Sequence, residues 1–80
     1  MISDSDGTKL QVGYKQTMRA LNESKALRVF LAMDSDDKII RSVREQCGLK
    51  NVETEEVDTM RELGEKCGIE VKASCAVLIK

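Results

Sequence analysis

Ala26-Leu27-Arg28-Val29-Phe30-Leu31-Ala32-Met33 is almost continuously apolar. A run of this length, bounded by polar turns, predicts a strand covered on both faces and therefore central in a sheet. Downstream, Asp34-Ser35-Asp36-Asp37 supplies a loop and an N-cap for a helix over about residues 36–47. Its apolar Ile39, Ile40, Val43 and Cys47 keep helical spacing, and Gly48 reads as its stop. A short strand is expected around residues 52–57. Asp58 or Thr59 then caps a third helix with Met60, Leu63 and Cys67 on its apolar side and Gly68 at its end, and a long apolar strand over 71–79 follows. Upstream, the polar turn Asn22-Glu23-Ser24-Lys25 separates the central strand from a helix over 14–22, whose Tyr14, Met18 and Leu21 recur at three- and four-residue steps. Residues 9–12 alternate as a weak strand ended by Gly13, and the polar residues 1–8 read as a frayed terminus. Strand and helix alternate throughout, which predicts the α/β class: a three-layer α/β/α sandwich around a single mixed four-stranded sheet.

Composition narrows the function. Eighty residues allow one domain with a small core. No run of about 18 apolar residues and no signal-peptide pattern is visible, so a cytoplasmic protein without a membrane partner is expected. The chain has no histidine, which removes the commonest general base and rules out Cys-His and Ser-His nucleophiles. Cys47, Cys67 and Cys75 form no Cys-x-x-Cys pair, so reduced core thiols are expected rather than a zinc site. Asp34, Asp36 and Asp37 lack the glycine and glutamate of a calcium loop, and helix capping is the simpler role for them. No metal, cofactor, catalytic residue or small-molecule substrate is expected.

The net charge is −1, from 13 Lys plus Arg against 14 Asp plus Glu, yet the charges are segregated. Residues 9–28 carry Lys9, Lys15, Arg19, Lys25 and Arg28 against Glu23, whereas residues 53–65 hold six acids against Arg61. Within the basic segment, Gly13-Tyr14-Lys15-Gln16-Thr17 combines a flexible glycine, a cation and an amide at a helix start. Helix N-termini offer unpaired N–H groups and a partial positive charge that attract phosphate, and Lys and Gln side chains can reach base edges. The combination suits RNA. The acidic segment is expected to face solvent away from it.

Three segments resemble the kink-turn-binding ribosomal protein family of the L7Ae/L30e type: Gly13-Tyr14-Lys15-Gln16-Thr17, Ala32-Met33-Asp34-Ser35-Asp36, and Leu63-Gly64-Glu65-Lys66-Cys67-Gly68-Ile69. Their order and spacing match over residues 9–79. A single RNA-binding domain over residues 1–80, acting as a monomer, is expected, and the resemblance implies an α/β/α sandwich that recognises a kink-turn. In that RNA sheared G·A pairs follow a bulge and the backbone bends sharply; ribosomal RNA and riboswitches are candidate carriers, so a ribonucleoprotein context is implied. Carried over, the first surface is Gly13, Tyr14, Lys15, Gln16 and Arg19, which would meet the guanines of the G·A pairs. The second is Ile69, Glu70 and Val71, in a loop that would cover the bulged nucleotides. Lys15, Gln16 and Arg19 stand where the archaeal pattern has Asn-Glu and a downstream Lys. Gln16 can still accept from a guanine amino group, while Lys15 and Arg19 donate to O6, N7 or phosphate.

Other readings remain open from the sequence. Lys15, Gln16 and Arg19 can form an ordinary solvated helix face, and Ile69 and Val71 can be core at a strand start. The same fold can serve as a protein–protein interaction module. A thiol enzyme using Cys67 or Cys75 is disfavoured, because it has no histidine to draw on and Cys75 falls in an apolar strand.

Overall fold

A computed structural model describes residues 9–69 and 71–79, so Glu70 and the expected frayed terminus at residues 1–8 lie outside the described residues. The elements run β1 (Lys9–Val12), α1 (Tyr14–Asn22), β2 (Ala26–Ala32), α2 (Asp37–Lys50), β3 (Glu53–Val57), α3 (Met60–Lys66) and β4 (Cys75–Ile79). The sheet order is β1-β4-β2-β3. β2 and β3 are parallel, joined through α2, while β4 is antiparallel to both β1 and β2. The sheet is thus mixed and four-stranded, and β2 is an interior strand.

Side-chain alternation along the strands sorts the core into two layers. On one face Val29, Leu31, Cys75 and Val77 pack with Ala20 and Leu21 of α1 and Val43 and Cys47 of α2. On the other, Phe30, Ala32, Val57 and Ala76 pack with Leu63 of α3 and Ala73. This is the α/β/α sandwich that the alternation of elements predicts.

Two expected boundaries are corrected. Gly48 does not end α2; the helix continues to Lys50, and Asn51 takes the left-handed conformation at φ 55°. The Cys47 carbonyl accepts from the Val52 N–H at 2.9 Å, which closes the helix one turn later than the glycine suggests. The last strand begins at Cys75 rather than Val71. Ala73 N–H donates to the Met60 carbonyl at 3.1 Å, which ties the segment before Ser74 to the start of α3, and the strand begins only after it.

Two of the three aspartates act as caps, and Asp37 lies in the first turn of α2. Asp36 accepts from Lys38 N–H at 2.9 Å at the start of α2, and Asp34 reaches across to accept from Met60 N–H at 2.7 Å at the start of α3. Thr59 Oγ1 accepts from Glu62 N–H at 3.0 Å. Asp34 therefore ties the loop after β2 to a helix that begins 26 positions later in the sequence.

Candidate nucleic-acid interface

Because β1, β2 and β3 point the same way and each leads into a helix, all three helix N-termini gather at one end of the sheet. The segment before β4 returns to that same end. Gly13 N–H donates to the Cys75 carbonyl at 2.9 Å, and Ala32 N–H donates to the Ser74 carbonyl at 2.9 Å. The topology thus brings the start of α1 and the loop before β4 to one edge of the molecule, the two regions that sequence reasoning singled out.

At the start of α1, Gly13 has φ 118° and ψ 156°, a backbone region open in practice to glycine alone. Open space lies above it, since a Cβ there would meet nothing within 4 Å. The first intrahelical bond runs from Thr17 N–H to the Gly13 carbonyl at 3.0 Å, so the N–H groups of Tyr14, Lys15 and Gln16 precede the helical ladder. Among the described residues no side chain caps this helix, in contrast to α2 and α3. Beside it, Lys15, Gln16 and Arg19 are exposed and line one surface depression of about 260 Å³. Among the described residues no carboxylate pairs with Lys15 or Arg19.

Tyr14 is different: it is half-buried and packs on the α1/α2 core. Thr17, whose role the sequence did not disclose, is fully buried, and its hydroxyl donates to the Gly13 carbonyl at 2.8 Å. It locks the glycine to the helix from inside, and a threonine four residues after a helix-starting glycine was the available signal.

At the loop before β4, Ile69 is half-buried against the α3-side core, while Val71 is 68% exposed. Ile69, Val71 and Lys72 border a depression with Arg61 and Glu65 of α3. Glu65 thus sits beside the candidate second surface rather than away from it, in an ion pair with Arg61 at 3.6 Å. The acids of β3 do turn elsewhere: Glu53 and Glu55 hold Arg28 at 2.8 and 3.4 Å, and Glu56 pairs with Arg44. Gly64 is a further residue whose role the sequence concealed. Its face is pressed so closely on the Val71 carbonyl that a Cβ would lie inside 3.0 Å of the oxygen. Ile69 N–H donates to the Gly64 carbonyl at 3.0 Å. α3 therefore cradles this loop through a glycine.

Burial raises the thiol pKa values of Cys47, Cys67 and Cys75 above the ordinary range. Side-chain hydrogen bonding between Cys47 and Thr54 and between Cys75 and Thr17 offsets this in part, while the proximity of Cys47 raises Cys75 further. Such thiols are poor nucleophiles at neutral pH. Among the described residues no cluster of three or more His, Cys, Asp or Glu is placed to hold a metal ion, and no helix is long and apolar enough to cross a membrane.

The fold and this edge define an α/β/α sandwich that presents an uncapped, cation-flanked helix start beside an apolar loop. Residues 3–80 match the ribosomal protein L7Ae/L30e/S12e/Gadd45 family, and the chain belongs to it. It is 46% identical over 72 residues to an RNA-binding protein of Geobacillus sp. (strain WCH70), a match covering 90% of this chain and 88% of the relative. Identity to RNA-binding protein YbxF of Geobacillus stearothermophilus is 39% over 72 residues, with the same coverage. Among solved structures, the Giardia lamblia 15.5kD RNA binding protein matches with a TM-score of 0.81 at 25% identity, over 89% of this chain and 60% of that one, so the chain spans about three-fifths of its length. A protein of unknown function from Bacillus halodurans C shares the fold, with a TM-score of 0.80 at 18% identity over 89% of this chain and 71% of that one.

Proposed function

We propose that this protein is a non-enzymatic RNA-binding protein that recognises and stabilises kink-turn RNA. The observation that carries the reading is the start of α1. Open space above Gly13, three N–H groups ahead of the helical ladder, and Lys15 and Arg19, which pair with no carboxylate among the described residues, meet there with Gln16, in a chain whose relatives are named RNA-binding proteins. Backbone of the RNA can approach Gly13 closely because no side chain intervenes. Lys15, Gln16 and Arg19 then donate to guanine acceptors or phosphate, and Gln16 also accepts from an amino group. Tyr14 supports the helix start from below. The exposed Val71, with Ile69 and Glu70 beside it in sequence, supplies the second surface for bulged nucleotides.

Recognition of this kind is a population shift. A rigid helix end that fits only the bent RNA pulls the equilibrium toward that form by its differential affinity. Few base contacts are needed, which accords with a net charge of −1. The test is a titration of the full chain into a kink-turn RNA carrying a fluorescent pair on its two arms, beside an RNA whose G·A pairs are replaced by Watson–Crick pairs. Submicromolar folding of the first RNA alone is expected. Absence of binding to either would discard the reading and turn attention to a protein partner.

A further inference from the structure

The basic segment of residues 9–28 divides on folding. Arg28 turns to the α3 side of the sheet, where Glu53 and Glu55 hold it. Gln11 stands opposite Val77, a residue of the α1/α2 core, so by strand alternation Lys9 and Gln11 project from β1 toward the α1 side. Between α1 and this edge of the sheet runs a groove of about 200 Å³, lined by Gln11, Gln16, Arg19, Glu23, Lys25 and Ile79, with Ala20 on its floor. It shares Gln16 and Arg19 with the depression at the start of α1, so the two form one continuous surface.

The far end of the groove is fixed in place. Ser24 takes the left-handed conformation at φ 57°, Ser24 N–H donates to the Leu21 carbonyl at 3.1 Å, and Lys25 N–H donates to the Ala20 carbonyl at 2.9 Å. Lys25 is thereby held where α1 ends, with Glu23 at 3.5 Å. Two cations and two amides outweigh the single acid, and the remaining lining is aliphatic. No aromatic side chain lines the groove, so it offers no platform for a stacked base. Cations and amides beside a smooth aliphatic floor instead suit phosphate and ribose.

We propose that this groove seats the phosphodiester backbone of one helical arm flanking the kink, and that the RNA footprint runs the length of α1, about 13 Å. Lys25 then adds to the salt dependence of binding, while Gln16 and Arg19 belong to both surfaces. The inference rests on the RNA-binding reading above and extends it beyond the helix start.

The experiment uses the full chain, a kink-turn RNA with two long arms, and two versions each trimmed in one arm, over a series of salt concentrations. Lys25→Gln is expected to weaken binding to the long-armed RNA by about threefold to tenfold and to lower the salt slope by about 1. Glu23→Gln removes the only acid among the described residues that line the groove and is expected to tighten binding, an effect that damage to the fold does not produce. Both effects should disappear on one of the two trimmed RNAs. Wild-type affinity and slope for both variants, alongside a weakened Lys15→Ala, would overturn the groove and leave the helix-start site standing. Failure of the wild-type chain to bind any of the RNAs would overturn both.

Discussion

Gly64→Ala separates the part α3 plays as a helix from the part it plays as a cradle. In a helix interior, glycine to alanine is ordinarily stabilising by about 0.5–1 kcal/mol, because the unfolded chain loses freedom and the helix gains a good former. At Gly64 the added Cβ falls inside 3.0 Å of the Val71 carbonyl oxygen and at 3.2 Å from its carbonyl carbon, with the Lys72 Cα at 3.6 Å. All three are backbone atoms, so no rotamer change relieves the overlap, and the loop must retreat by about 1 Å to reach van der Waals distance. Overpacking of this kind costs about 1–3 kcal/mol, which outweighs the propensity gain. Gly48→Ala is the matched control: Gly48 is also helical, and its Cβ would meet nothing within 4 Å. Urea denaturation and thermal melts should place Gly64→Ala at least about 1 kcal/mol below Gly48→Ala, or roughly 4–8 °C in Tm for a chain of this size. The displaced loop should also weaken kink-turn binding, whereas Gly48→Ala should not. Equal stabilisation by both substitutions, with RNA affinity intact in both, would refute the cradle.

Other outcomes follow from the same geometry. Lys15→Ala and Gln16→Ala should each weaken kink-turn binding by about 1–3 kcal/mol without lowering Tm, as lost base-edge contacts do, and unchanged titrations for both would discard the site. Gly13→Val should cost stability by about 1–3 kcal/mol through backbone strain at φ 118° and should also block RNA; full stability with normal binding would show that neither the conformation nor the open space matters. Asp34→Ala should lower stability by about 0.5–2 kcal/mol through the lost cap on Met60, while Asp34→Asn retains most of it; equal melts for the two variants would remove the cap from the account. The raised thiols favour their neutral form in the folded state, so the stability they contribute is fully present below the unfolded thiol value of about 8.5 and is lost as pH rises through the folded values. Denaturation between about pH 8 and pH 10 should therefore show falling stability, with a shallower fall in Cys75→Ala; identical slopes would show that the thiol does not take part.

The layer architecture was legible because it rests on local periodicity. The apolar run of β2 and the spacing of Ile39, Ile40, Val43 and Cys47 point to burial whatever the neighbours are. Helix ends were less legible where two signals compete. Gly48 resembles a terminator, but Asn51 adopts the left-handed turn and the helix passes through the glycine. The start of β4 was misread because Val71 is apolar, while its backbone belongs to a loop docked on α3. At the candidate site, Lys15, Gln16 and Arg19 were readable as neighbours on one helical face. The supports of that site were not: Thr17, Asp34 and Gly64 act through contacts whose partners, the Gly13 carbonyl, the Met60 N–H and the Val71 carbonyl, are fixed by tertiary folding.

The net charge of the chain is a poor guide to what one edge of it attracts. The sheet order puts β1 and β3 at opposite edges, three strand spacings apart, which amounts to about 14 Å. At physiological ionic strength the Debye length is about 8 Å, so charges at one edge are largely screened from a ligand at the other. The β3 edge is moreover neutralised in part from within, since Arg28 and Arg44 are spent on Glu53, Glu55 and Glu56. Lys15 and Arg19 have no such partners among the described residues, and Lys25 faces Glu23 alone. A phosphate approaching α1 therefore meets a local excess of positive charge, although the whole protein carries −1. Folding thus sets the acids of β3, already paired with Arg28 and Arg44, apart from the groove beside α1, and exchanging them for neutral residues should alter RNA affinity far less than removing Glu23.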